Sequence, residues 1–411
     1  MCLSKKNIPA YAVLVVLILL SYNALCQQYM PEAYYRLMAA LEQRNAPLAQ
    51  VWVDSCKGLK PQRVQYETAY GIYALQNNAY TVAIEHFSRA EQRRKGEASL
   101  WLTRCYAQQG DTAAALRWLM EHLKSSTRAK ESTILLDPLL RPLHSTAGWK
   151  NIWKTDNYNA VEQLIAQAEY LIGAGNADEA LELLNARIKG TRGRYSLFAL
   201  RGDAQQALGE FGAASDSYRV AYRKSKQPVL LAKRAEAMSL RGMHQAALKL
   251  ANRAVELSPH NPKLRLQRAH VLMQANVSAQ ALDDLRYYLS FYPTHERATK
   301  MLVESALSAG QYVAALQSLA KLIKLYPDNP DLRYMRASVL LRTEQPRLAI
   351  DDLDFAIQHN HRVADAYHSK GMAHFALGER DQACTCWSIA KQRGRFEAQE
   401  LHYKYCQRIA E

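Results

Sequence analysis

The sequence is short of the residues that interrupt helices. Its 411 residues hold 17 glycines and 13 prolines, and no long Ser/Gly/Pro linker appears. Both residues cost stability inside helices, so their scarcity suits a mostly helical protein. Cysteine is also scarce, at seven residues, and scattered, which excludes a disulfide framework. No Lys/Arg block is long enough to form a basic tail; the densest run is Arg93-Arg94-Lys95. The net charge of +15 is therefore read as solvated helix faces, with an anionic polymer or lipid partner as the alternative. No stacking platform for nucleic acid accompanies the charge, so nucleic acid is not an expected partner. Catalytic signatures are missing too: there is no phosphate-binding glycine loop, Gly-x-Ser-x-Gly elbow or His-Glu-x-x-His. His359-Asn360-His361 lacks a nearby carboxylate cluster, so no metal or cofactor is expected. Just under half of the residues are apolar (49%), which argues against disorder for most of the chain.

One long apolar run is present, from Ile8 to Leu20. Lys5 and Lys6 precede it, a polar Ser21-Tyr22-Asn23 follows, and Ala24 and Cys26 stand at −3 and −1 of a cut before Gln27. This is the three-part pattern of a secretory leader over 1–26. The run is shorter than the roughly 20 residues of a spanning helix, although an uncleaved anchor is an alternative. Lipidation of Cys26 is another; Asn23 and Leu25 fit a lipoprotein signal poorly. Export from a bacterial cytoplasm, to the periplasm or outer envelope, is the expectation. It leaves a charge of +13 and places Cys56, Cys105, Cys384, Cys386 and Cys406 in an oxidising compartment.

The main content of the chain is a period near 34. Alanine recurs at Ala49, Ala83, Ala115, Ala180, Ala214, Ala247, Ala281, Ala315, Ala349 and Ala383, with every step from Ala247 onward equal to 34. Twelve residues earlier stands a second small residue, as at Gly71, Ala168, Gly202, Ala235, Ala269, Ala337 and Gly371. Five residues before the alanine stands Gly or Asn, as at Asn78, Gly209, Gly242 and Asn276. Four residues after it stands a large apolar side chain: Phe87, Leu119, Leu184, Tyr218, Leu285, Leu319, Leu353 or Trp387. Proline follows in several units, at Pro61, Pro259, Pro293 and Pro327. Each position has a cause. Apolar residues recur between them at helical spacing. Gly or Asn ends a helix in the left-handed conformation. The small residues let two antiparallel helices approach, the large one fills the gap to the next pair, and proline stops the second helix. A single pair cannot bury its own apolar faces, so pairs must stack.

This pattern resembles the tetratricopeptide repeat. The resemblance covers ten units and implies an all-α superhelical solenoid of antiparallel helix pairs. Three units are expected in 27–129 and seven in 161–395. Departures fall at Leu37, Thr103 and Val303 for the small position, and at Arg44 and Glu344 for the turn. Between the arrays, 130–160 reads as a compact non-repeat insert with Trp149 and Trp153 packed on the solenoid; a binding loop or hinge is the alternative. Residues 396–411 read as a capping helix. If that helix packs like another first helix, Cys384 and Cys406 come level and can bond; otherwise they are buried free thiols.

In such solenoids the first helices line a concave surface. The equivalent positions here are Leu266, His270, Met273, Lys300, Met301, Glu304, Leu307, Tyr334, Met335, Ser338, Leu341, His368, Met372 and Phe375. The family's carboxylate clamp needs Asn at set positions, and it is missing. The surface is Met-rich instead, which suits helices or extended segments with apolar anchors. The expected function is a non-catalytic scaffold for a protein or peptide partner at the cell envelope, without a small-molecule substrate.

Overall fold

The computed structural model describes residues 31–57, 64–188 and 194–406. The expected leader and Pro61 lie outside them. Among the described residues every regular element is a helix, in the order Glu32–Glu42, Ala46–Lys57, Val64–Gln76, Tyr80–Arg93, Ser99–Gln109, Thr112–Lys124, Glu131–Leu135, a 3-10 turn Pro138–Leu143, Ala147–Ile152, Ala160–Gly173, Ala177–Ile188, Tyr195–Ala207, Phe211–Ser225, Pro228–Leu240, His244–Leu257, Pro262–Gln274, Ser278–Phe291, Glu296–Ser308, Tyr312–Leu325, Pro330–Arg342, Pro346–Gln358, Val363–Ala376, Arg380–Gln392 and Phe396–Cys406. The helices pair in sequence. Two compact units result, one ending at Gln267 and the other beginning at Arg268.

The repeated alanine is buried in every pair, between 0% and 1% exposed from Ala49 to Ala383. Its methyl group sits where two helix axes come closest, and a larger side chain would force them apart. The small and large positions of a pair are matched in size. A Cβ built on Gly71 would lie 2.5 Å from the Phe87 ring, one on Gly202 2.6 Å from Tyr218, and one on Gly371 2.4 Å from Trp387. Where the small position is Ala168, Ala269 or Ala337, the large one is Leu184, Leu285 or Leu353, all fully buried. In these six pairs glycine accompanies an aromatic ring and alanine accompanies leucine, so core density is kept with a different division of volume; the pair with Ala235 departs, since it sets Ala251 at the large position. The departure at Leu37 follows the same logic, because its counterpart is the smaller Val53.

The turns keep their geometry where the residue departs. Arg44 has φ 51° and Glu344 φ 56°, close to Asn276 at φ 57°. The left-handed turn is imposed by the packing of the pair, and Arg and Glu are held in it at a cost of about 1 kcal/mol each.

The insert is packed rather than free. Ile134, Leu140, Leu143 and Trp149 are buried together with Leu100, Ala107, Leu119 and Leu123 of the preceding pair. Its 3-10 turn begins at Pro138, capped by the Asp137 side chain accepting from the Leu139 N–H. Proline at the first position loses no bond that the turn needs. Arg104 donates to Asp137 at 2.6 Å, Gln108 donates to the Leu139 carbonyl at 2.7 Å, and the Arg104 guanidinium lies 4.2 Å over the Trp101 ring. An open pocket of about 450 Å³ beside this junction is lined by Ile72, Leu75, Trp101 and Leu139, with Arg44 at its rim.

Candidate interaction face of the second compact unit

Three first helices, Glu296–Ser308, Pro330–Arg342 and Val363–Ala376, present equivalent positions 34 residues apart. The last two touch directly. Lys300, Tyr334 and His368 form one row, and Leu307, Leu341 and Phe375 form another. Met372 and Phe375 are exposed at 40% and 38%. Phe375 is braced from behind by Trp387, with ring centroids 5.6 Å apart, and by Tyr405 at 4.7 Å. Tyr405 belongs to the last helix, which is tied down by a disulfide between Cys384 and Cys406 with Cα atoms 5.6 Å apart. Arg380 also donates to the Tyr405 carbonyl at 2.7 Å. The end of the array therefore holds its exposed aromatic ring in a fixed place.

The first row is polar and internally linked. Lys300 reaches Glu296 at 2.8 Å and Asp331 at 2.6 Å. Burial opposes its charge, but hydrogen bonds to Asp331 and Glu296 outweigh burial and raise its pKa. His361 stands 3.4 Å from Asp331, and the Arg362 guanidinium lies 5.1 Å from the Tyr334 ring centroid. His368 and His270 are both pushed down, first by burial and then by a neighbouring arginine, Arg395 and Arg297 respectively. Both imidazoles are therefore neutral near pH 7, and the strip offers apolar and hydrogen-bonding contacts more than fixed charge.

The residues read from the sequence do not all share this strip. Met301 is only 6% exposed and packs in the core with Leu302 and Val303, so it is no anchor for a partner. Its side chain points into the pair because its position on the helix faces the second helix as much as the groove. Leu266 belongs to the first compact unit, one turn before His270 on the helix Pro262–Gln274. His270, Met273, Leu307, Tyr334, Met335, Leu341 and His368 are half-buried, and Glu304 is exposed.

Buried charge was the feature that sequence reading missed. Asp284 and Asp352 are each 1% exposed, whereas their neighbours Asp283 and Asp351 face solvent. Arg268 clamps Asp284 with two bonds of 2.7 Å, and Arg336 clamps Asp352 at 2.6 and 2.7 Å. Arg333 adds a third contact to Asp352 at 3.2 Å. The signal was present: each arginine stands one position before the small residue, and its aspartate, sixteen residues later, stands three after the repeated alanine. Among the described residues no group of three His, Cys, Asp or Glu is placed to hold a metal ion, and no helix is long and apolar enough to cross a membrane.

Comparison with known proteins bears on this architecture directly. The family model for the tetratricopeptide repeat matches residues 68–129 and 266–330. Over these two segments the chain carries tetratricopeptide repeats. Its repeats are similar to those of DnaJ homolog subfamily C member 3 from Rattus norvegicus, 26% identical over 231 residues, covering 51% of this chain and 43% of the rat protein. A TPR repeat-containing thioredoxin, TDX, from Arabidopsis thaliana is 33% identical over 96 residues, covering 23% of this chain and 25% of the plant protein. The chain thus spans less than half the length of these curated relatives. A solved tetratricopeptide-repeat structure from Parabacteroides merdae is 21% identical, with a TM-score of 0.45, covering 60% of this chain and 98% of that one. YrrB, described as a TPR protein with an unusual peptide-binding site, is 17% identical with a TM-score of 0.40, covering 46% and 98%. Arrays of such repeats are protein–protein interaction scaffolds, and the family is typically non-catalytic.

Proposed function

We propose that the chain is an exported, non-catalytic scaffold that holds a protein or peptide partner on the exposed strip of its second compact unit. The observation that carries this reading is the exposed pair Met372 and Phe375, braced by Trp387 and Tyr405 at the tied end of the array. An apolar group held rigidly in water is ready to bind without an ordering cost. A thioether beside it adapts to partners of different shape. The matching partner is a helix or extended segment with apolar anchors. Export is supported by the leader pattern of 1–26 and by the bonded Cys384 and Cys406, because disulfides persist in oxidising compartments. The cell envelope is the corresponding location.

The +15 charge offers a second reading, in which an anionic envelope polymer or lipid surface is bound. On this strip the basic side chains are already engaged: Lys300 with Glu296 and Asp331, Arg395 with Asp365 at 3.1 Å. That favours apolar recognition here. A pull-down from envelope extract tests the choice, using wild-type protein, Met372→Glu, Glu304→Arg and the control Val313→Glu, which alters an exposed position on a second helix. Loss of the same captured protein in the first two variants, with capture surviving 0.5 M salt in wild type, supports the strip. Capture unchanged by both variants sinks it. Capture abolished by salt alone supports the polyanion reading.

A further inference from the structure

The first compact unit returns to its own beginning. Tyr35, on the first described helix, shares a hydrogen bond of 3.0 Å with the Ser258 hydroxyl, 223 residues later. Lys263 donates to Glu42 at 3.0 Å across 221 residues. His260 stands 4.0 Å from Glu32. The three contacts run along one helix, Glu32–Glu42, and meet one short stretch, the loop after helix His244–Leu257 and the start of the next helix. The intervening pairs and the insert therefore lead the chain around until its first helix meets residues 258–263.

The character of this meeting differs from that of the apolar clusters on either side of it. The apolar cluster around the first helix runs from Leu37 to Cys105 and takes in none of the residues near 258. The cluster at the other side holds Leu231, Ala232, Ala254, Val255 and Leu264, and takes in none of the residues of the first helix. The three contacts above are polar, and Lys263 and Glu42 are 60% and 45% exposed. Exposed ion pairs contribute little and are screened by salt. A contact of this kind is poised near balance, where small biases decide between closed and open populations.

We propose that Glu32–Glu42 and residues 258–263 form a salt-sensitive latch that closes the first compact unit into a ring. Opening the latch separates the first helix from residues 258–263 without unfolding any helix pair. Access to the inner wall of this unit is then governed by the latch. The device is independent of the strip proposed above, which lies wholly in the second unit.

The test uses the full chain with spin labels at Ser55→Cys and Glu256→Cys, both exposed; the buried Cys56, Cys105 and Cys386 give the unlabelled background. Distance distributions are measured by pulsed electron resonance in 20 mM and 1 M salt. The expected result is a short-distance population that dominates at low salt, with about a threefold rise in the open-to-closed ratio in 1 M salt. Lys263→Glu should open the ring at low salt, and the charge swap Glu42→Lys with Lys263→Glu should close it again. Circular dichroism of each variant reports whether the helices persist; Tyr35→Phe, which removes one hydroxyl, gives a smaller shift if a charge variant does not fold. Distributions indifferent to salt, to Lys263→Glu and to Tyr35→Phe overturn the latch. A long distance in wild type at low salt does so as well.

Discussion

The regular array from Pro262 onward and the interrupted region around the insert solve the same problem in different ways. In the regular array a contact recurs on the repeat lattice: Arg268 with Asp284, then, two repeats or 68 residues later, Arg336 with Asp352, while the pair between them has Leu302 and Ser318 at those positions. Around the insert the contacts occur once. Arg104 holds Asp137, Arg128 holds Glu162 with bonds of 3.1 and 2.5 Å, and buried His122 links Ser99 to the Ala129 backbone. A periodic sequence can announce the first kind of contact. The second kind depends on segments that meet only once, so no period records them. The contrast predicts that damage to a lattice position spreads through one pair and its neighbours, whereas damage to a private contact loosens only the insert.

The largest effect is expected at the buried lattice charges. Arg268→Met takes the two-bonded clamp from fully buried Asp284 and should cost about 3 kcal/mol or more, read by urea unfolding. Arg336→Met, with Arg333 still 3.2 Å from Asp352, should retain more stability than the double variant Arg333→Met/Arg336→Met; an equal loss in both would mean that the third contact contributes nothing. Next comes size matching. Gly202→Ala drives a methyl group into the Tyr218 ring and should destabilise by about 1–3 kcal/mol. Adding Tyr218→Leu should recover part of that loss, because it recreates the alanine–leucine pairing of other repeats; an additive double variant would break the matching rule.

The private contacts are best tested by pH. His122 is 4% exposed, and burial, then the charges of Arg104 and Arg128, lower its pKa from an ordinary 6.5 to about 4. The Ala129 N–H donates to Nε2, so the neutral ring carries its proton on Nδ1 toward Ser99. The unfolded chain takes up a proton below pH 6.5 that the folded one refuses. Stability should therefore fall as pH drops from about 6.5 toward 4, since the unfolded state binds more protons in that window. Hydrogen exchange should locate the loss at 99–129 and the insert rather than in the second compact unit. A loss spread evenly over both units would erase the distinction drawn above. The smallest effect is at a turn: Glu344→Gly should stabilise by up to about 1 kcal/mol, because glycine takes the left-handed φ of 56° without strain. Thermal unfolding that is unchanged or lower would show that the Glu344 side chain supplies a compensating contact.

Much of the fold was legible in residues. Ala247 to Ala383 marked the tight helix contacts, Asn276 and Gly310 the turns, and Pro293 and Pro327 the ends of second helices, because local backbone and volume limits act on those positions alone. Less of the candidate site was legible. Periodicity could put Met301 on a first helix, but its burial depended on which of two adjoining faces met the second helix. Met372 and Phe375 were named from the same positions and stand exposed at 40% and 38%.

The sequence by itself determined the helical class, the length of each pair and the order of small and large residues, since each follows from steric limits repeated every 34 residues. Tertiary structure alone decided that Asp137 would meet Arg104 and that Tyr35 would meet Ser258. Those outcomes rest on small angles accumulated from pair to pair. Such angles leave no mark at any single position of the chain.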